Sequence, residues 1–93
     1  MNERYIEIIQ RFIQYWKLNR ATATLLATAM LAVARHRDNL DRAKTHGILM
    51  AYNAAGLIYE DIYQEGHHLV DTMMEAQTER EAIDAIFNYF DEC

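Results

Sequence analysis

The chain is poor in the residues that interrupt helices, because it has no proline and only three glycines among its 93 residues. It also has no serine, which excludes a serine nucleophile, and its single cysteine is Cys93. One cysteine cannot form a disulfide within one chain, and such usage is typical of proteins of the reducing cytoplasm. We therefore expect a cytoplasmic protein without serine or cysteine catalysis.

Long hydrophobic runs are also missing. The uncharged stretches at 47–59 and 21–34 are shorter than the roughly 20 apolar residues that span a membrane. The first residues lack the basic-then-apolar pattern of a signal peptide. No glycine-rich phosphate-binding loop occurs. Hydrophobic residues nevertheless make up 52% of the chain, too many for a disordered one. We expect one soluble domain that covers residues 1–93.

Cations are scarce in the second half of the chain, although the net charge is only −5. Residues 1–47 carry eight cations and four acids, whereas residues 48–93 carry ten acids and Arg80 alone. An asymmetry of this size indicates a charged partner or self-association rather than a particular fold.

What the sequence does contain is a long helical pattern between Ile48 and Met73, which predicts the central element of the fold. At 100° per residue one apolar stripe runs through these positions. Its members are Ile48, Ala51, Tyr52, Ala55, Ile58, Tyr59, Ile62, Gly66, Leu69, Val70 and Met73. With Asp38 as N-cap, a third helix from Asn39 to Ala76 is predicted. Unbroken, it would be about 57 Å long, in a domain of roughly 30 Å diameter.

Such a helix either breaks near Gly47 or Gly66, or a second chain covers its overhang. The stripe passes Gly66 without a change of phase, which favours a homodimer. The interface is then expected on the back of the helix, at Met50, Ala54 and Leu57.

Three further helices complete the predicted fold, an all-α bundle of about four helices. They cover about Glu3–Leu18 with Asn2 as N-cap, Ala23–Arg37 after a stop at Asn19 and a cap at Thr22, and the segment after Thr78. Thr78 and Glu81 have the spacing of a capping box. The second helix is rich in alanine, which predicts close packing by its neighbours.

Two clusters resemble sites of other classes. His67, His68, Asp71 and Glu75 form a metal-like cluster, and Glu65 with His68 gives one Glu-x-x-His motif, whereas di-iron bundles use two. Because these side chains are expected on a solvated face, no metal or cofactor is predicted. The basic cluster of Arg35, Arg37, Arg42 and Lys44 is interrupted by acids in an acidic protein, so direct nucleic-acid binding is not expected.

The predicted partner-binding residues lie on the opposite side of the third helix. They are Glu60, Asp61, Tyr63, Gln64, Asp71 and Glu75. A tyrosine among carboxylates suits a basic protein surface. We therefore expect a non-enzymatic binding module, an acidic inhibitor or adaptor of the antitoxin, immunity or phage-inhibitor type. Its partner would be a basic protein, such as one that handles nucleic acid. The alternatives are a self-associating assembly subunit and a metal-dependent helical enzyme that uses His67, His68, Asp71 and Glu75.

Overall fold

A computed structural model describes residues 3–92 as a bundle of five α-helices, with no strand among these residues. The helices are α1 (Glu3–Trp16), α2 (Arg20–His36), α3 (Asn39–Ala54), α4 (Glu60–Met74) and α5 (Glu79–Asp91). The all-α prediction is confirmed, whereas the expected count of four is wrong. The predicted cap Asn2 and the cysteine Cys93 lie outside the described residues.

The expected long third helix is two helices, because the chain turns at residues 55–59. Gly56 has a φ of +77°, a conformation that glycine adopts without a steric penalty. The Leu57 N–H donates to the Tyr52 carbonyl over 2.9 Å, and the Asn53 side chain donates to the Ile58 carbonyl over 3.2 Å. The break is thus at neither Gly47 nor Gly66.

The sequence pattern missed this turn because both helices place their apolar residues against the same core. A 100° periodicity reports which residues are buried and does not report whether the helix axis continues. In the structure, Tyr52, Ile58 and Val70 are buried as the stripe predicts. By contrast, Ala55 is exposed and Tyr59 is 80% exposed. The overhang that favoured a homodimer does not exist.

The central helix is α2, which packs against each of the other four helices. Ala23, Ala27 and Ala34 are fully buried, and these small side chains allow close approach. The helix begins three residues earlier than expected, because Asn19 is its N-cap and accepts a hydrogen bond from the Thr22 N–H over 2.9 Å. Asn19 therefore starts α2 rather than stopping α1.

The core collects the apolar side of every helix. Its largest fully buried side chains include Phe12, Leu26, Met30, Leu49 and Ile86. Residues 3–92 form a body of 33 × 26 × 25 Å, too short for a 57 Å helix. None of the helices described is long and apolar enough to cross a membrane.

Candidate functional site

The exposed side of α4 carries polar residues at every position. These residues are Glu60, Asp61, Gln64, Glu65, His68 and Thr72, and Glu75 follows as the exposed C-cap. We call the carboxylates of this surface, Glu60, Asp61, Glu65 and Glu75, together with Gln64, the acidic face. Glu60 and Asp61 lie in the first turn of α4, where the helix dipole stabilises negative charge. The acidic face extends about 22 Å along the helix, at 1.5 Å per residue.

Most carboxylates of the second half have no cation beside them within the described part of the chain. Asp71, Glu79 and Asp84 form ion pairs with Arg42, Arg35 and Arg4. The other seven are exposed and take part in no ion pair among residues 3–92: Glu60, Asp61, Glu65, Glu75, Glu81, Asp91 and Glu92. The two halves of opposite charge therefore meet within one chain, but most of the negative charge is left at the surface.

Two of the predicted partner-binding residues, Tyr63 and Asp71, are part of a cluster that joins α4 to α3. Asp71 Oδ1 accepts a hydrogen bond from Arg42 Nε over 3.0 Å. The ring of Tyr63 packs edge-on against His67 at 4.5 Å between centroids, and His67 lies 4.0 Å from His46. We call these five residues the histidine cluster. Their contacts show that α3 and α4 are antiparallel neighbours.

The histidine cluster leaves two buried nitrogens without hydrogen bonds, Nε2 of His46 and Nε2 of His67. His46 Nε2 lies 3.4 Å from Asp71 Oδ1, an ion-pair distance, but it makes no hydrogen bond there. Burial lowers the pKa of His46 below its ordinary value of 6.5, and the nearby His67 and Arg42 lower it further. Asp71 opposes that shift. The arrangement therefore favours a neutral imidazole at position 46.

The residues of the metal-enzyme alternative are not brought together. His67 points toward α3, whereas His68 is exposed in a groove between α4 and α5 that Tyr89 also lines. Among residues 3–92, one group places potential metal-ligand atoms within 4.8 Å, namely His36, Asp38 and Asp41. Asp38 there caps α3, and Asp41 pairs with His36 at 2.7 Å. These groups already serve the start of a helix.

The exposed side of α3 differs in composition from the exposed side of α4. After Asn39 it consists of Leu40, Ala43, Lys44, Gly47, Met50, Ala51 and Ala54, which we call the α3 face. Lys44 carries its only charge. Leu40 is 63% exposed and Met50 57% exposed. Two of the three predicted dimer-interface residues, Met50 and Ala54, belong to this face, and the third, Leu57, is exposed in the following turn.

The histidine cluster and the exposure of Tyr59 are not predicted by the sequence pattern. The spacing carried a signal for the cluster, because Arg42 and His46 are four residues apart, as are Tyr63, His67 and Asp71. Each set therefore shares one helix face. Their meeting requires the turn at 55–59, which the pattern did not reveal.

Comparison with protein families, with curated proteins and with solved structures found no match for this chain.

Proposed function

We propose that the protein is a non-enzymatic binding module of the cytoplasm, an inhibitor or adaptor whose acidic face engages a basic protein. The observation that carries the proposal is the set of seven exposed carboxylates without ion-pair partners among residues 3–92. Arginine side chains of a partner would pair with such carboxylates in charge-assisted hydrogen bonds. Charge complementarity of this kind raises the rate of encounter and selects among partners.

The start of α4 is the part of the acidic face best suited to contact a partner. Glu60 accepts a hydrogen bond from Gln64 Nε2 over 2.8 Å, so the two side chains hold each other in place. Tyr59 precedes them and is 80% exposed. Tyrosine is one of the residue types enriched at interface hot spots. We therefore assign to Tyr59 the contact role predicted for Tyr63, because the ring of Tyr63 packs against His67.

The remaining predicted contact residues differ in whether their carboxylates are free to bind a partner. Glu75 is exposed at the far end of α4 and is free of ion pairs among the described residues. Asp71 is already bonded to Arg42 of the same chain, so a partner would have to compete for it. We therefore centre the proposed site on Tyr59, Glu60 and Asp61.

The proposal is tested by removing two charges from the acidic face and two elsewhere. The variant Glu60→Gln/Asp61→Asn and the control Glu3→Gln/Glu7→Gln change the net charge equally, and each removes carboxylates near the start of a helix. Binding of an arginine-rich peptide is measured at low ionic strength. The variant should weaken binding about tenfold, which corresponds to about 1.4 kcal/mol, and the control by less than threefold. Equal losses would show that only net charge matters and would overturn the proposed location.

The alternative function is that of a self-associating assembly subunit, and the α3 face favours it specifically. An apolar helix face exposed to water is typical of a surface that another protein covers. We propose that the chain forms a homodimer through this face, with Met50 and Ala54 in the contact and Leu57 at its edge. Both functions can coexist, because the α3 face and the acidic face are on different helices.

A further inference from the structure

Gly47 occupies a position in α3 that the chain itself does not explain. It lies in the middle of a helix, where glycine is less stable than alanine by about 0.5–1 kcal/mol. Apart from its chain neighbours and the backbone of its own helix, a Cβ at Gly47 would have no atom within 4 Å. At Gly66, by contrast, a Cβ would lie 2.8 Å from Leu49 Cδ2. Packing within the chain therefore accounts for Gly66 and not for Gly47. Close approach of a second backbone would account for Gly47.

The α3 face is complementary to itself when a second copy runs in the opposite direction. With Gly47 opposite Gly47, Leu40 of one copy lies level with Ala54 of the other, and Met50 lies level with Lys44 and close to Ala43. Each large apolar side chain thus meets a small residue or the aliphatic stem of a lysine. Alternation of large and small residues lets two helices pack near the short end of the 8–10 Å range of axis distances.

The charges at the two ends of α3 favour the same direction. Arg35, Arg37, Arg42 and Lys44 outnumber Asp38 and Asp41 around its N-terminal end, although Arg35 and Arg42 already pair with Glu79 and Asp71. Glu60 and Asp61 follow its C-terminal end after the turn. An antiparallel pair brings Arg37, which takes part in no ion pair among residues 3–92, toward Glu60 and Asp61 of the other copy. A parallel pair would place like charges together, and it would also align the two helix dipoles unfavourably.

We propose that α3 pairs antiparallel with α3 of a second copy of this chain, about a two-fold axis that passes beside Gly47. This inference rests on the proposed homodimer and adds its contact surface, direction and register. The pairing is isologous, so it closes at two chains and does not propagate into a fibre.

The contact surface is tested by sedimentation over a range of protein concentrations. Met50→Lys places a cation in the proposed contact, level with Lys44 of the second copy, and Ile6→Lys makes the same change at an exposed apolar residue of α1. Met50→Lys should raise the dissociation constant of the dimer by about tenfold or more, because two like charges would be brought together in the contact. Ile6→Lys should leave that constant within about threefold. Circular dichroism checks that both variants keep the helical fold.

The direction is tested by disulfide formation in proteins whose Cys93 is replaced by serine. A disulfide requires two Cα atoms within about 7 Å. In the antiparallel pair, Gly47→Cys should link to itself. Leu40→Cys and Ala54→Cys should each link poorly alone and should link to each other when mixed.

The outcomes separate the register from the dimer itself. Efficient linkage of Leu40→Cys to itself would show parallel helices and would overturn the inference while the homodimer stands. A dimer that Met50→Lys leaves intact would place the contact on another surface and would also overturn it. A chain that stays monomeric at all concentrations would overturn the homodimer together with its register. The peptide experiment for the acidic face is done at a protein concentration at which the chain is monomeric, so that its outcome does not depend on the dimer.

Discussion

The helices α3 and α4 have nearly the same length, 16 and 15 residues, and lie side by side, yet their exposed surfaces are opposites. Every exposed residue of α4 is polar, whereas six of the eight exposed residues of α3 are apolar or glycine. Both helices bury apolar side chains in the common core. The buried pattern therefore explains the fold, and the exposed pattern separates a surface suited to water or charged partners from one suited to a second apolar surface.

The sharpest contrast within α3 is between the neighbours Leu49 and Met50. Leu49 is fully buried and Met50 is 57% exposed. Leu49→Ala should lower the free energy of unfolding by about 2–5 kcal/mol, because it removes packed atoms and leaves a cavity. Met50→Ala should change it by less than about 0.5 kcal/mol. Urea denaturation checks both, at a protein concentration low enough to exclude association. Similar losses for the two variants would contradict the described orientation of α3.

The two helical glycines should respond to alanine in opposite ways. Gly47→Ala should stabilise the single chain by about 0.5–1 kcal/mol, since a Cβ there meets nothing. Gly66→Ala should destabilise it by about 1 kcal/mol, because its Cβ would crowd the buried Leu49. Thermal or urea unfolding of dilute protein measures both. A stabilising Gly66→Ala would mean that Leu49 adjusts at little cost and that Gly66, like Gly47, is unexplained by packing within the chain.

The histidine cluster between α3 and α4 should have the smallest effect on the free energy of unfolding, and this effect should depend on pH. Because the pKa of His46 is lowered on folding, the unfolded chain binds more protons at this residue than the folded chain. Its contribution to stability is therefore present above pH 6.5 and is lost as the pH falls from 6.5 toward the folded pKa. The groups that face His46 are His67, Arg42 and Asp71.

We expect His46→Gln to lose less stability than the wild type between pH 7.5 and pH 5, as measured by urea denaturation. His68→Gln is the matched control, because this side chain is exposed and lies outside the histidine cluster. A steeper loss for His46→Gln would show that protonated His46 is stabilised by Asp71 more than it is disfavoured by burial.

The sequence predicted the elements whose signals are local. Asp38 caps α3, and Thr78 caps α5 by accepting from the Glu81 N–H over 3.1 Å while Glu81 accepts from the Gln77 N–H. It did not predict the turn at Gly56, because a single φ of +77° leaves no trace in hydrophobic periodicity. The same distinction between local signals and packing of separate helices applies to the candidate site. The exposure of Glu60 and Asp61 followed from their place on one helix, whereas the burial of His46 and His67 depends on two helices meeting.

The turn at 55–59 also separates the basic half of the chain from the acidic half. No charged residue lies between Lys44 and Glu60, so a cut in this exposed segment would yield one fragment of net +4 and one of net −9. Two such pieces attract each other over distances near the Debye length of about 10 Å at 0.1 M salt. Their recombination would be fast at low ionic strength and slow at high salt concentration. Packing of the core acts over short range, whereas this charge attraction would act over long range as the two halves come together.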